Sequence, residues 1–353
     1  MTVLPYQTKP RAGSGQYVAH WGGDNAAEWG AMYLSISQSF IFQMVGVPVF
    51  GVDTCGFANN STEQLCARWM ELSAFFPFYR NHYADGKRPQ EAYVWPTVAE
   101  ASRRAIGIRY QLLSYLYTLM HYAHTRGDTI MRALAWEFAN DVSLRETDNQ
   151  FLVGSSVLVT PVLVPGADTV KGVFPGIGKG TRWYDWHSLK EVTGVQAGEN
   201  VTMAAPLEHI NVHVRGGAIL PMQQPGYTTT ATRANPYSLL VALDENDCAA
   251  GSIYLDDGES IVPESTRMVE FTFADSCLTA RSWGSYPSGA GLANITVLGL
   301  AGAPQHVRLR LGGRDVGHTE TAYENGTLSV MGLEHATRAG AWEDTIKLCL
   351  NEE

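Results

Sequence analysis

The chain has 353 residues, 45% of them hydrophobic and 17% charged, enough for a sizeable core and two or three domains. Its formal charge of −10 speaks against a nucleic-acid partner, which needs a basic face to neutralise phosphates. No window approaches the roughly 18 uninterrupted apolar residues of a membrane-crossing helix, and the opening MTVLPYQTKPRAGSG lacks the apolar core of a signal peptide.

Residues 16–21, QYVAHW, alternate and run into the pair Gly22–Gly23, as a buried strand does before a functional loop. Beyond it Trp29, Tyr33, Ile36, Phe40 and Met44 recur at steps of three and four, which marks one face of a helix. Asn25 and Glu28 have the spacing of a capping box at its start. VPVFGVD (47–53) is an apolar run of β-branched and aromatic residues that ends at a carboxylate. Residues 62–76 are helical and lead through PFYRNH to a longer helix over 97–125, with Ala105, Ile108, Leu112, Leu116 and Leu119 on one face.

This rhythm of strand and helix, with polar residues at each strand's carboxyl end, is that of a (β/α) barrel. Three such units are visible, against the eight of a complete barrel. From residue 129 the pattern changes to short β-rich segments punctuated by Gly, Pro, Asn and Asp. The expected fold class is therefore α/β plus all-β. The carboxyl-terminal part of a (β/α)8 barrel over 12–128 precedes two antiparallel β-sandwich domains at 129–225 and 226–353, divided near QQPGYTTTATRANP.

Five cysteines occur, so at least one is free or intermolecular. Cys55 and Cys66 flank a short polar loop and form either a disulfide worth roughly 2–3 kcal/mol or two buried thiols. The partners of Cys248, Cys277 and Cys349 stay open. Asn59, Asn60, Asn200, Asn294 and Asn325 lie in N-x-[ST] sequons and are candidate glycosylation sites.

Chemistry gathers at the strand ends. Asp24 is either a helix cap or, with Asn25 already opening the capping box, a carboxylate free to face the loop. The two glycines before it allow close approach of a ligand. His20 and Asp24 do not make a metal site, because strand and turn separate them and no third ligand stands nearby. Trp21 is a core residue or a flat platform for a sugar ring. Asp53 ends a buried strand, where an unpaired carboxylate is costly, so it bonds a ligand or pairs with a cation such as Arg80. Arg80, Asn81 and His82 end the next strand as a donor cluster, His82 being structural or a ligand contact. Together these ends describe a polar, aromatic pocket suited to a polyhydroxylated ligand.

The stretches AGSGQYVAHWGGDN, GVPVFGVDTCGFANNSTEQLCARWMELSAFFPFYRNH and HVRGGAILP resemble the carboxyl-terminal half of glycoside hydrolase family 31, in particular its fungal secreted α-glucosidases. The resemblance is strong over residues 12–225 and weaker beyond, where YLDDGES persists. It implies a retaining α-glucosidase without cofactor or metal, acting on α-glucoside oligosaccharides. It makes Asp24 the general acid/base and Trp21 a wall of the sugar subsite. Asp53 and Phe57 become a hydroxyl-binding carboxylate and an aromatic contact, His82 a hydroxyl ligand, and Arg80 its support. It also pairs Cys55 with Cys66 and implies an extracellular protein.

Two features depart from the family pattern. The W-x-D-M-N motif that carries the nucleophile is absent from the sequence, and Thr8, Lys9, Pro10 and Arg11 stand where the family has R-S-x-F. Residues 1–11 are unmatched. The expectation is thus a fragment that carries the acid/base, lacks the nucleophile and has little activity of its own. The alternative is a non-catalytic carbohydrate-binding remnant, or one chain of a two-chain enzyme whose complementary chain carries the amino-terminal half.

Overall fold

The computed structural model describes residues 18–317, 319–338 and 340–351. Residues 1–11, set apart in the sequence, and the first two residues of the strand expected at 16–21 lie outside that range.

The first part is built on three parallel extended segments. β1 (His20–Trp21) pairs with β2 (Phe50–Gly51), and the same central segment continues as β3 (Asp53–Thr54), which pairs on its other side with β4 (Arg80–Asn81). Helices follow each segment: α1 (Trp29–Met44), α2 (Glu63–Ser73), α3 (Pro96–Gln111) and α4 (Leu113–Arg126). Thr62 caps α2 by accepting from the amide of Leu65, and Leu65 to Ser73 are buried all round, so this helix is enclosed on every side. Pro96 opens α3 and Gly127, in the left-handed conformation, closes α4.

Two helical expectations are corrected. The face expected of α1 runs from Trp29 to Met44, yet Met44 is 64% exposed, and Met32, Ile36, Phe40 and Gln43 are the buried positions. The single helix expected over 97–125 is interrupted at Leu112 (φ −91°, ψ 7°). Different partners account for the break. α3 packs against α2, whereas α4 lies across strands of the large sheet described below, where Ser114 Oγ meets Gln223 and Thr118 Oγ1 accepts from the amide of Tyr254. The expected inner face itself is realised, with Ala105, Ile108, Leu112 and Leu116 buried and Leu119 packed against them.

The second part is all β. β5 (Met131–Arg132), β6 (Phe151–Val153), β7 (Val157–Thr160), β9 (Trp183–Asp185) and β11 (Asn211–Arg215) form a five-stranded antiparallel sheet in the order 5-6-7-11-9. β8 (Thr169–Gly172) and β10 (Val201–Ala204) make a separate antiparallel pair. The remaining strands run from β12 (Ala218–Gln223) and β13 (Tyr237–Ala242) through β14 (Ala249–Leu255), β15 (Arg267–Ala274), β16 (Cys277–Gly284), β17 (Leu292–Leu298) and β18 (Val307–Leu311). They end with β19 (Arg314–Val316), β20 (Glu320–Glu324), β21 (Thr327–Met331) and β22 (Ile346–Leu350). These eleven form one sheet in the order 19-18-22-16-15-14-12-13-17-21-20.

That sheet is mixed, since β12 is parallel to β14 and β13 to β17, where purely antiparallel pairing was expected. Residue 225 lies in the connection between β12 and β13, which pair over Ala218–Gln223 and Tyr237–Ala242, so the sheet is continuous across it. The two strands are apolar on both faces because each face meets a different core. Leu220, Leu240 and Ala242 join the cluster shared with α1, α2 and the five-stranded sheet, while Ile219, Leu239 and Val241 point into the core of the eleven-stranded sheet.

Among the described residues, Cys277 pairs with Cys349 across β16 and β22, Cys55 pairs with Cys66, and Cys248 is the free thiol. No helix is long and apolar enough to cross a membrane among the described residues.

Candidate active site

The carboxyl ends of β1, β3 and β4 lie side by side. After β1 the chain turns at Gly23 (φ 86°), where a side chain would meet open space, and delivers Asp24 to solvent. The Asp24 carboxylate makes no hydrogen bond among the described residues and so is free to act on a bound molecule.

Asn25 fixes this turn, though not as a helix cap. Helix α1 starts after Glu28 without a side-chain cap bond, and Glu28 instead accepts from Asn59 Nδ2 at 3.1 Å. The Asn25 amide reads both sides of Asp53: its Nδ2 donates to the Asp53 carbonyl at 2.9 Å, and the Asp53 amide donates to its Oδ1 at 2.9 Å. The Asn25 carbonyl accepts from the amides of Phe57 at 2.7 Å and Ala58 at 3.1 Å. A two-sided amide satisfies a strand-end peptide group that the short ladder leaves unpaired, at about 1 kcal/mol per bond, and this outcompetes the capping box. Gly56 (φ 94°) permits the same contact from the other side, because a Cβ there would stand 2.2 Å from Ala27 Cα.

Asp53 is fully buried and engaged on both oxygens. Trp21 Nε1 donates to Oδ2 at 3.1 Å, and Arg80 donates to Oδ1 through Nε at 3.1 Å and through Nη2. The pairing with Arg80 anticipated for this carboxylate is present. The Arg80 guanidinium lies over the Trp21 ring at 5.4 Å and over Phe78 at 5.6 Å. Trp21 is 8% exposed, so it is largely enclosed beside Asp53 and Arg80. Phe57 and His82 complete the rim, half-buried and exposed respectively, with ring centroids 5.1 Å apart. His20 faces the other way, stacked on Phe42 at 4.4 Å, and burial lowers its pKa.

Two supporting residues carry no sequence signal of their own. Gln90 is buried in a loop without periodicity, and its amide nitrogen faces the carbonyls of Gly56 and His82 at 3.0 and 3.2 Å. Arg109 gathers the carbonyls of Ala74, Phe76 and Pro77 and so sets the turn leading into β4. The sequons are unequal: Asn59, Asn60, Asn200 and Asn325 are exposed, whereas Asn294 is half-buried inside β17, opposite Ser238. No group of three or more His, Cys, Asp or Glu side chains is placed to hold a metal ion among the described residues.

Parallel strands alternating with helices, with an exposed carboxylate and an aromatic, hydrogen-bonding rim at their carboxyl ends, have the arrangement of a β/α barrel, whose polar residues gather at that face. The family is specific: residues 9–119 match the glycosyl hydrolases family 31 TIM-barrel domain and residues 127–220 the glycosyl hydrolase family 31 C-terminal domain. The chain belongs to glycosyl hydrolase family 31.

It is 52% identical over 334 residues to an alpha-glucosidase of Aspergillus oryzae, covering 94% of this chain and 34% of that protein. It is 49% identical over 340 residues to Glucoamylase 1 of Schwanniomyces occidentalis, covering 96% of this chain and 35% of that protein. Among solved structures, the glucosidase II alpha subunit bound to Glc1Man2 superposes with a TM-score of 0.86 at 25% identity, over 96% of this chain and 38% of that one. The chain thus spans about a third of the length of the curated relatives it matches, in their carboxyl-terminal half.

Proposed function

We propose that this chain is the acid/base half of a retaining α-glucosidase acting on α-glucoside oligosaccharides. In this reading residues 12–128 are part of a (β/α)8 barrel, and 129–225 and 226–353 are its two carboxyl-terminal β domains. Asp24 protonates the departing glycosidic oxygen and then, as carboxylate, takes a proton from the water that releases the sugar. The second carboxylate of a retaining pair stands about 5 Å from the first. Asp53 is not available for that role, because both its oxygens are held by Trp21 and Arg80. In this reading the nucleophile is supplied by a complementary chain that carries the earlier barrel strands.

His82 and Phe57 contact the sugar, Trp21 walls its subsite, and Asp53 with Arg80 holds those groups in place. The α-glucosidase relatives, the two disulfides and the exposed sequons support an extracellular parent protein glycosylated at Asn59, Asn60, Asn200 or Asn325.

The observation that carries this reading is the unbonded Asp24 carboxylate, next to an Asn25 that clamps the Asp53 backbone and beside an Asp53 carboxylate that accepts from Trp21 and Arg80. The test mixes the pure chain with a polypeptide bearing the earlier barrel strands and follows hydrolysis of a nitrophenyl α-glucoside. The chain alone gives little or no turnover, the mixture gives turnover, and Asp24→Asn removes it. Robust turnover by the chain alone, or a mixture indifferent to Asp24→Asn, contradicts the reading.

A further inference from the structure

The loop after β4 is fastened to the strand ends on its inner side and left bare on its outer side. Gln90 Nε2 lies within 3.3 Å of four acceptors, the carbonyls of Thr54, Gly56 and His82 and the side-chain oxygen of Asn81. The Gln90 carbonyl accepts from Asn81 Nδ2 at 2.7 Å. Ala84 donates its amide to the Phe57 carbonyl at 3.1 Å, which ties the near end of the loop to the aromatic rim. Ala92 and Trp95 pack inward against the cluster around the Cys55–Cys66 disulfide.

Between those anchors, the single turn Ala92–Val94 turns Tyr93 outward at 79% exposure, with Val94 beside it at 36%. Tyr83, the residue after His82, donates its hydroxyl at 3.1 Å to Oε1 of Glu91, which stands two residues before Tyr93. The second oxygen of Glu91 is buried without a partner. The loop that leaves the rim at His82 thus carries both Tyr83 and the exposed Tyr93, and it is fastened by the hydrogen bonds of Gln90 and Glu91.

An exposed tyrosine on a loop this firmly fastened gains nothing for the fold. A ring face next to hydroxyl and carboxylate groups matches the two kinds of surface on a pyranose, its apolar C–H face and its hydroxyl edge. We propose that Tyr83 and Tyr93 form a second glycosyl platform, which takes the next unit of an α-linked oligosaccharide whose first unit lies at the strand ends. This rests on the reading of those ends as a glucosyl site. Preorganisation by Gln90 lowers the ordering cost of binding there.

The test is an NMR titration of the full chain with methyl α-glucoside, maltose and maltotriose. Maltose and maltotriose bind roughly two- to tenfold more tightly than methyl α-glucoside, the range expected of one stacked ring. Tyr93→Ala erases that ratio while keeping the affinity for methyl α-glucoside, and Tyr93→Phe preserves the ratio. Equal affinities in the unaltered chain, or a ratio that survives Tyr93→Ala, overturn the platform and leave the strand-end site intact. If none of the three sugars binds, the strand-end reading falls and the platform falls with it.

Discussion

The barrel portion and the β-rich portion solve the same packing problem in different ways. In the barrel portion the strands are two residues long, and α1 leaves Leu34, Ile41, Met44 and Val45 more than half exposed. In the β-rich portion β15 and β16 run eight residues each, alternate apolar residues point inward, and a disulfide crosses the ladder. The candidate catalytic carboxylate sits on the region that is less self-sufficient. What steadies it comes from the side, through side chains that reach from one portion into the other.

Arg68 is the main link. Buried in α2, it donates to the carbonyls of Ala205 at 2.5 Å, Pro206 at 3.0 Å, and Ala167 and His209 at 3.2 Å. It also meets Glu71 Oε2 at 3.2 Å, and burial pushes the Glu71 carboxyl up to about 8 in spite of that partner. The carbonyls rather than the carboxylate carry the link. Arg68→Ala strands these acceptors and costs about 3–5 kcal/mol. Hydrogen exchange then shows the barrel portion unprotected while the eleven-stranded sheet keeps its protection. Equal loss in both portions breaks the comparison.

The two disulfides sharpen it. Cys277–Cys349 closes 72 residues and Cys55–Cys66 only 11, which corresponds to about 4 and about 3 kcal/mol of chain entropy. Replacing each pair by serine lowers stability in that order in denaturant titrations. The shorter one also loosens the loop bearing Phe57 and Gly56, so it affects sugar binding and the longer one does not.

The smallest effect is a response to pH. His213, buried on β11 against Phe174, has its pKa lowered to about 4 by desolvation, opposed by Asp185 at 3.8 Å and reinforced by His187 and His209. The unfolded chain takes up a proton near pH 6.5 that the folded one refuses. The contribution is complete above that pH and is lost as pH falls towards 4, at about 1 kcal/mol per pH unit. His213→Leu flattens the acid limb of the stability profile in thermal melts at pH 4 to 7. An unchanged limb assigns the acid sensitivity elsewhere.

The strand ends were legible in the sequence because a barrel places its polar residues there, so Asp24, Asp53, Arg80 and His82 stood out against apolar runs. The closeness of Asp53 to Arg80 followed from the cost of burying a lone carboxylate. The role of Asn25 did not, because a capping box and a two-sided clamp use the same residue and only tertiary contacts choose between them. Gln90 lies in a loop whose pattern carries no period. The pairing of β12 with β14 and the choice of Cys349 as partner for Cys277 are set by contacts distant in the chain, which a linear pattern does not encode.

The central claim is that Asp24 moves a proton to the leaving group. In the enzyme reconstituted with the complementary barrel half, Asp24→Ala is compared on maltose and on α-glucosyl fluoride, whose leaving group needs no proton. The account predicts that maltose hydrolysis falls by about 10²- to 10⁴-fold while the pre-steady-state release of fluoride stays within about tenfold. Equal losses on both substrates, or no loss on maltose, contradict it.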